Sequence, residues 1–482
     1  MKRRIPASVL VVAAVAALVV VGRAQPESSS PVFREDLGGW MPSVPSDDDL
    51  TETWFCPGVP APGDGVEGEV VIVNRDDERM VGTVLVMNSI GGSQRLELDV
   101  DGRSTTKIDL DATLPGPMVG AVVEVEGGGA LVEQRAVHPG GDSTAPCATA
   151  TSDRWYLADG FTVDGSVDQL VLANPYDETV VVNISFATQE GQRRPNSYRG
   201  LTVAARSIRV IDLGAPGAGA QSEPLLAVSV EASRGRLVVG RSQHFLGGGR
   251  LGTQVTLAQP EVRDQWWFVG GRVADGVEEH YAIYNPTDDD VVVDPIFVAI
   301  PVALQADPIE VPAGEVRAFD PSTVVDVDGR PAIPAGRYAV VFSTLAAQSV
   351  VVERSTTWEV GGTIATSVLA GAPPRQDGYV ASEWYVPVTP IEATPEGLIV
   401  YNADNVVGSV SVFVVGTSGQ VPVDGLQDLE IGPASLLTID LVDPLVLGRE
   451  VLVTSSNRVF VERWLPTGRG LTRTTAWAIP AG

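Results

Sequence analysis

The chain has few of the side chains on which most enzyme chemistry depends. Its 482 residues include three histidines, His138, His244 and His280, and none stands near another His or Cys at metal-ligand spacing. A zinc site needs such a cluster. The sequence also lacks a Gly-x-Ser-x-Gly elbow and a phosphate-binding loop. It therefore predicts a protein that is not an enzyme, with no catalytic residue, no metal site and no cofactor.

Positive charge is scarce as well. The 33 basic residues face 61 acidic ones, which gives a formal net charge of -28, and the only lysines are Lys2 and Lys107. A chain this acidic repels phosphate backbones and cannot gain from counterion release. The charge excludes nucleic acid as a partner.

A long hydrophobic run occurs once, at the N-terminus. Met1-Lys2-Arg3-Arg4 precedes an apolar stretch from Ile5 to Val21, which predicts export of the rest of the chain. Residues 1–24 are either a cleaved signal peptide or a membrane anchor at the short end of a membrane span. Residues 25–52, rich in Ser, Pro and Asp, predict a flexible acidic linker. We expect an extracytoplasmic protein, secreted or held at the membrane by its N-terminal helix.

Cysteine is limited to Cys56 and Cys147, near the two ends of the first repeat described below. Export places them in an oxidising compartment, where an isolated pair of cysteines forms a disulfide. We therefore predict a Cys56–Cys147 bond.

One pattern recurs four times after the linker. The copies are repeat 1 (53–152), repeat 2 (153–263), repeat 3 (264–381) and repeat 4 (382–482). Each has an opening Trp-aromatic pair, an Asn that closes an apolar run, and a late Glu-Arg pair or a variant of it. The motif residues are Trp54, Asn74, Trp155, Asn174, Arg241, Trp267, Asn285, Glu353, Arg354, Trp384, Asn402, Glu462 and Arg463.

Within the repeats, apolar residues alternate with polar ones, as Leu96, Leu98 and Val100 do, which predicts strands with one face on a core. Repeat 1 holds about seven such segments, a number typical of an immunoglobulin-like β-sandwich. A β-propeller is the alternative, but its blades take about half of this period. The predicted fold is all-β, with four tandem immunoglobulin-like sandwiches after the N-terminal helix. We expect the four to lie end to end as a rod.

Three motif elements have competing interpretations. Asn followed by carboxylates, as in Asn285 to Asp290, predicts a hairpin turn, with a calcium loop as the alternative. The opening aromatics predict packing in the core and between repeats, with stacking on sugars as the alternative. Glu353 and Arg354 must point to opposite faces of a strand whose flanks are apolar. Because a buried charge needs a partner, we expect the Arg to bond carbonyls or a carboxylate between repeats.

The order of Trp267-Phe268, Asn285-Pro286 and Glu353-Arg354, followed by Trp358 and Gly361-Gly362, resembles the tandem β-sandwich repeats of secreted bacterial envelope proteins. With the leader and Trp54 to Gly58, nearly the whole chain resembles an uncharacterised actinobacterial exported family, a domain of unknown function. The resemblance implies an envelope protein and supplies no activity. Departures at Asn74-Arg75, Gln134, Gly240 and Asn402-Ala403 argue against a catalytic role for the motif.

These patterns together predict a non-enzymatic, exported cell-envelope scaffold or binding protein. The alternative is a polysaccharide-binding or carbohydrate-active envelope protein. The expected partners are the membrane, if the leader is not cleaved, and envelope polysaccharide or protein.

Overall fold

Short runs of Val and Ile, alternating with polar residues, form the strands of the protein, as their period of two predicts. The computed structural model describes residues 51–481, apart from residues 64, 346–347, 361, 375–379, 417–418 and 467–472. The predicted leader and the linker up to residue 50 lie outside the described residues. Thr51 and Glu52 belong to the first strand, which therefore begins before the predicted end of the linker.

The protein is all-β, and its elements are grouped here by the four repeats. Repeat 1 contains β1 (Thr51–Ala61), β2 (Glu67–Asn74), β3 (Met80–Asn88), β4 (Ser93–Val100), β5 (Thr105–Asp109), α1 (Leu110–Thr113), β6 (Gly116–Glu126), β7 (Ala130–Val137) and β8 (Ser143–Pro146). Repeat 2 contains β9 (Arg154–Gly160), β10 (Val167–Asn174), β11 (Val180–Thr188), β12 (Gly191–Arg193), β13 (Leu201–Val203), β14 (Ser207–Asp212), β15 (Leu226–Arg234), β16 (Val238–Gly247) and β17 (Arg250–Leu257).

The second half of the chain continues in the same way. Repeat 3 contains β18 (Gln265–Val273), β19 (Val277–Tyr284), β20 (Val291–Val298), β21 (Leu304–Gln305), β22 (Ile309–Val311), β23 (Val316–Phe319), β24 (Gly336–Thr344), β25 (Val351–Val360) and β26 (Thr363–Ala370). Repeat 4 contains β27 (Glu383–Val386), β28 (Thr394–Asn402), β29 (Gly408–Gly416), β30 (Gly419–Pro422), β31 (Leu429–Ile431), β32 (Leu436–Leu441), β33 (Val451–Ser455), β34 (Val459–Pro466), β35 (Arg473–Trp477) and β36 (Ile479–Pro480). Short 3-10 turns occupy Val163–Gly165, Asn196–Tyr198 and Pro321–Thr323.

Each repeat contains two antiparallel sheets with a constant strand order. In repeat 1 the orders are β1-β6-β3-β4 and β5-β2-β7-β8, and the other repeats follow them, with β9-β15-β11-β12 and β14-β10-β16-β17 in repeat 2. The first two strands of a repeat thus lie in different sheets. An immunoglobulin constant domain places its first two strands in the same sheet, so the order departs from the immunoglobulin pattern.

Apolar side chains from both sheets of a repeat meet in one buried cluster. In repeat 1 the cluster joins Val70 and Ile72 of β2 to Val84 of β3 and Val123 of β6, all fully buried. Repeat 2 has a comparable cluster, and those of repeats 3 and 4 merge into one. Burial of these faces is the main favourable term in folding.

The last long strands of the four repeats, β8, β17, β26 and β35, lie next to one another. Ser143 Oγ accepts a hydrogen bond from Val255 N–H (2.9 Å), Ser367 Oγ donates to Gln254 Oε1 (3.1 Å), and Ser367 and Thr475 share a hydroxyl hydrogen bond (3.1 Å). Strand β35 in turn contacts β8. All four strands line one small cavity of about 50 Å³.

Contacts between repeats therefore form a closed cycle through four seams, named here 1–2, 2–3, 3–4 and 4–1 after the repeats they join. The predicted end-to-end rod is wrong, because repeat 4 packs against repeat 1. When each repeat contacts the next in the same head-to-tail way, the repeats form a closed ring if the rotation from one repeat to the next adds up to a full turn.

Among the helices of the described residues, none is long and apolar enough to cross a membrane.

Candidate functional site: the seams between repeats

Strands β7, β16, β25 and β34 carry the Glu-Arg motif, and they place it at the seams. Neighbouring side chains on a strand point to opposite faces. In β25, Glu353 consequently projects toward repeat 2, whereas Arg354 projects toward repeat 4. Both side chains are fully buried.

Three buried ion pairs link successive repeats. Arg241 donates to Glu353 across seam 2–3 with a nitrogen–oxygen distance of 3.0 Å. Arg354 pairs with Glu462 across seam 3–4, and Arg463 pairs with Glu133 across seam 4–1. No side chain of the three pairs is more than 3% exposed. The expected role of the Arg, bonding a carboxylate between repeats, is confirmed.

Backbone N–H groups are further partners of two of the three buried carboxylates, Glu353 and Glu462. Glu353 accepts hydrogen bonds from Ala158 N–H (2.9 Å) and Asp159 N–H (2.7 Å), both in β9 of the preceding repeat. Glu462 accepts from Gly270 N–H at 2.9 Å. A Cβ at Gly270 would lie 2.2 Å from Glu462 Oε1, so this close approach requires glycine. Each carboxylate thus joins two repeats through an Arg and a backbone amide.

The electrostatic environment keeps Arg354 charged. Burial by itself lowers the pKa of a guanidinium. The carboxylates of Glu462 and Glu279 outweigh that effect, so the pKa of Arg354 is raised above its ordinary value. The pair is an ionic contact held in a site without water access.

At seam 1–2 the buried ion pair is absent from the described residues, and a neutral hydrogen bond within repeat 1 takes its place. Gly240 stands where the other repeats have Glu, and Gln134 stands where they have Arg. Gln134 Oε1 accepts from Gly58 N–H at 3.0 Å, as the missing carboxylate would. A Cβ at Gly240 would lie 2.8 Å from Pro57 Cγ, so the proline fills the space that a Glu would need. The two departures from the motif compensate each other.

The opening tryptophans anchor the repeat cores, and the structure corrects one of them. Trp155, Trp266 and Trp384 donate from Nε1 to the carbonyls of Leu237 (2.9 Å), Val350 (2.9 Å) and Val459 (2.7 Å). Trp54 is buried at the matching place and donates to Glu52. Trp266, not the predicted Trp267, therefore holds this position in repeat 3. Because Trp266 and Trp267 are adjacent, the alternation of buried and exposed residues along the strand does not by itself show which of the two is buried in the core.

With Trp266 as the opening residue of repeat 3, the second aromatic there is Trp267. In each repeat this second aromatic faces the next repeat. Trp267 packs on Tyr401 and Phe460 of repeat 4, with ring centroids 5.4 and 5.3 Å away. Tyr156 lies 6.5 Å from Tyr284 across seam 2–3. In the same way, Phe55 packs against an apolar cluster shared by repeats 1 and 2, and Tyr385 lies under Arg75 of repeat 1. The expected use of these aromatics in the core and between repeats is confirmed.

The four motif asparagines form one recurring turn. Asn74, Asn174, Asn285 and Asn402 are fully buried. In each, Nδ2 donates to the carbonyl four residues on, at 2.7 to 2.9 Å, and Oδ1 accepts from the N–H two residues on, at 3.0 Å. The turn interpretation is confirmed. Among the described residues, no group of three or more His, Cys, Asp or Glu is placed to hold a metal ion.

The predicted disulfide is present. Cys56 in β1 is bonded to Cys147, which directly follows β8, so the bond ties the first strand of repeat 1 to the end of its last strand. No free cysteine occurs in the described part of the chain, and the sequence holds no third one. A structural disulfide is typical of proteins outside the cytoplasm.

Several seam residues have no signal in the sequence. Arg250 pairs with Asp159 (3.1 Å) and donates to Ser355 Oγ (3.1 Å) across seam 2–3. Arg272 and Arg337 both pair with Glu396 across seam 3–4, at 2.8 and 2.7 Å. Each partner lies on a different strand, between 59 and 124 residues away along the chain. Motif spacing cannot reveal contacts of this kind.

Two histidines that are far apart in the sequence also meet. The rings of His138 and His244 lie edge to face across seam 1–2, with centroids 4.8 Å apart. Burial lowers the pKa of both imidazoles, and the neighbouring His244 lowers that of His138 further. Both shifts favour the neutral form of the imidazole.

Comparison with known proteins gives a partial family match. The pattern of a family of unknown function (DUF5719) matches residues 130–245. The match runs from the start of β7 to Phe245 in β16, which is one full period of the repeat. No curated protein matches the chain.

Two solved structures are similar to parts of the chain at low overall superposition. "Thermotoga maritima 1070" has 13% sequence identity and a TM-score of 0.20, and the similarity covers 23% of this chain and 95% of that chain. A "tetra-tandem repeat in extending region of large adhesion protein" has 13% identity and a TM-score of 0.11, covering 85% of this chain and 93% of that one.

Proposed function

We propose that the protein is a non-enzymatic scaffold or binding protein of the cell envelope. The observation that carries the proposal is the fate of the recurrent polar residues. The buried Glu and Arg side chains neutralise one another across the seams, and the Asn side chains are saturated by backbone groups. The motif residues therefore hold the four repeats together, as expected for a rigid scaffold.

We further propose that the chain works outside the cytoplasm. The Cys56–Cys147 bond supports an oxidising compartment, and the basic-then-apolar leader supports export. Anchoring by residues 1–24 and an actinobacterial origin belong to the same proposal. Mass spectrometry of the N-terminus in membrane and culture fractions will show whether the leader is retained.

The two-sheet architecture of each repeat supports a β-sandwich module. Two facing antiparallel sheets with a shared core are the elements of a sandwich. We propose four such modules, related to immunoglobulin-like folds by architecture and not by strand order. A rigid cycle of modules presents several outward faces at fixed angles, as a scaffold requires.

Incubation of the full-length protein with purified envelope polysaccharide tests the proposal. We expect the protein to co-sediment with the polymer, or to capture a defined envelope protein after cross-linking, without releasing soluble fragments. The variant Glu462→Gln, which breaks seam 3–4, should weaken retention, and Arg79→Ala, at an exposed ion pair, should not. Release of polymer fragments that one Asp, Glu, Ser or His substitution abolishes would instead establish an enzyme.

A second candidate function, binding of a polysaccharide, is favoured by one observation at seam 1–2. That seam contains an open, uncharged cleft.

A further inference from the structure

Seam 1–2 contains an open cleft where the other seams carry charge. The cleft has a volume of about 200 Å³ and lies between repeat 1 and the sheet formed by β10, β16 and β17 of repeat 2. Its polar lining includes Gln169, Ser242, Gln243, Thr253, His138 and His244. A space of this size holds several water molecules and therefore a ring-sized group.

The lining is uncharged, which is unusual on a chain with a net charge of -28. Among the described residues that line the cleft, none is Asp, Glu, Lys or Arg. The remaining wall is made of small and apolar residues, such as Pro60 and Val167. Such a cleft offers no counter-charge to an ionic ligand, so it favours a neutral one.

The cleft presents both acceptors and donors. Gln169, half-buried on the wall of the cleft, carries an amide with both an acceptor oxygen and donor N–H groups. His138 Nδ1 accepts from Gly140 N–H at 2.8 Å. In a neutral imidazole the other nitrogen then carries the proton, so His138 Nε2 is a donor. Neighbouring donors and acceptors are what a hydroxylated ring requires.

The same place at seam 4–1 differs in chemistry. A cleft of about 220 Å³ lies there between repeats 4 and 1, but it is lined by Lys107, Glu133, Arg135, Asp142 and Glu392. Arg135 pairs with Asp142 at 2.6 Å, and Lys107 approaches Glu69 at 3.7 Å. Lys107, Glu133, Arg135 and Asp142 thus each have an ion-pair partner. The two clefts therefore form a natural pair for comparison.

We propose that the cleft at seam 1–2 binds one sugar ring of a neutral polysaccharide. Gln169, His138 and His244 bond ring hydroxyls, and the proline side contacts the C–H face of the sugar. This inference rests on the proposed function and specifies its ligand class.

Titration of the full-length protein with neutral mannan, galactan and arabinan oligomers, and with an acidic oligogalacturonate, tests the inference by calorimetry. We expect at least one neutral oligomer to bind and the acidic one not to bind. Gln169→Ala and His244→Phe, both at partly exposed positions, should each weaken binding about tenfold, the effect of roughly one hydrogen bond. Ile391→Ala, at the rim of the charged cleft, is the matched control and should bind as wild type.

The outcomes separate this inference from the scaffold proposal. If no neutral oligomer binds while the protein still co-sediments with envelope polymer, the sugar site is wrong and the scaffold stands. Neutral binding that neither Gln169→Ala nor His244→Phe weakens, with unchanged melting temperatures, also overturns the site, because the ligand then binds elsewhere. If the wild-type protein binds no oligomer, does not co-sediment with envelope polymer and captures no envelope protein after cross-linking, both proposals are overturned.

Discussion

At the scale of single residues, the buried ion pairs should carry far more stability than the exposed ones. Removing one partner of a buried pair leaves an uncompensated charge and costs about 3–5 kcal/mol. Arg354→Met should therefore lower the free energy of unfolding by that amount in urea titrations. Arg79→Ala, at a pair whose side chains are 62% and 48% exposed, should cost less than about 1 kcal/mol. Equal losses in the two variants would show that Arg354 is not a buried partner.

Asp168 should make stability depend on pH. Burial raises its pKa from 3.8 to about 7, although Arg241 partly opposes the shift. A carboxyl with a raised pKa binds its proton more tightly when folded, so the contribution of Asp168 to stability is greatest below pH 4 and falls as pH rises toward 7. The loss is at most about 4 kcal/mol for a shift of this size.

The variant Asp168→Asn checks this dependence, because asparagine can still accept the hydrogen bond from Phe161 N–H (3.2 Å) but does not titrate. Melting temperatures measured from pH 4 to pH 8 should fall less steeply in the variant than in the wild type. Parallel pH profiles would mean that the pKa of Asp168 is not raised and that its carboxylate is already charged at pH 4.

Residue roles were predictable from the sequence only where a local rule applies. The Asn turns depend on backbone groups two and four residues away, so an Asn followed within three residues by a carboxylate is enough to predict them. The apolar flanks of Glu353 and Arg354 predict burial and a need for partners. The identity of those partners was not predictable, because Arg241 and Glu353 are 112 residues apart.

At the scale of strands, the disulfide should stabilise repeat 1 in particular. It closes a loop with a sequence separation of 91, which in the chain-entropy model stabilises by on the order of 4 kcal/mol. A reducing agent should therefore lower the melting temperature of the wild type. The double variant Cys56→Ser/Cys147→Ser should start from a lower melting temperature and not respond to the reductant. Two free thiols in the native exported protein would refute the bond.

Strand positions followed from the period-two pattern, but strand order did not. Alternation states which face of a strand is apolar and says nothing about which neighbour it pairs with. The pairing of β1 with β6, and of β2 with β7, therefore became visible only in the structure. The same limit explains the shift from Trp267 to Trp266, because both tryptophans lie in β18 and only the partner carbonyl distinguishes them.

At the scale of the whole described chain, the same kind of contact occurs at every seam, always from one repeat to the next. In every seam the second aromatic of one repeat packs on the next repeat, and seam 4–1 uses this contact to return to repeat 1. The sequence states that the contact recurs, through its aromatic and Glu-Arg motifs. It does not state the rotation at each joint, and that rotation decides between a rod and a closed cycle.

Closure of the cycle is the central claim, and a distance between repeats 1 and 4 tests it most directly. Lys107→Cys and Ile391→Cys introduce two thiols that line the same cleft at seam 4–1, and the native cysteines do not compete because they form a disulfide. Spin labels on the two positions report their separation by pulsed electron resonance. The closed cycle predicts a single short distance, and Arg463→Met should broaden it by weakening the seam. A separation of about 60 Å or more, the span of two intervening repeats whose strands of up to 11 residues rise ~3.3 Å per residue, would contradict closure.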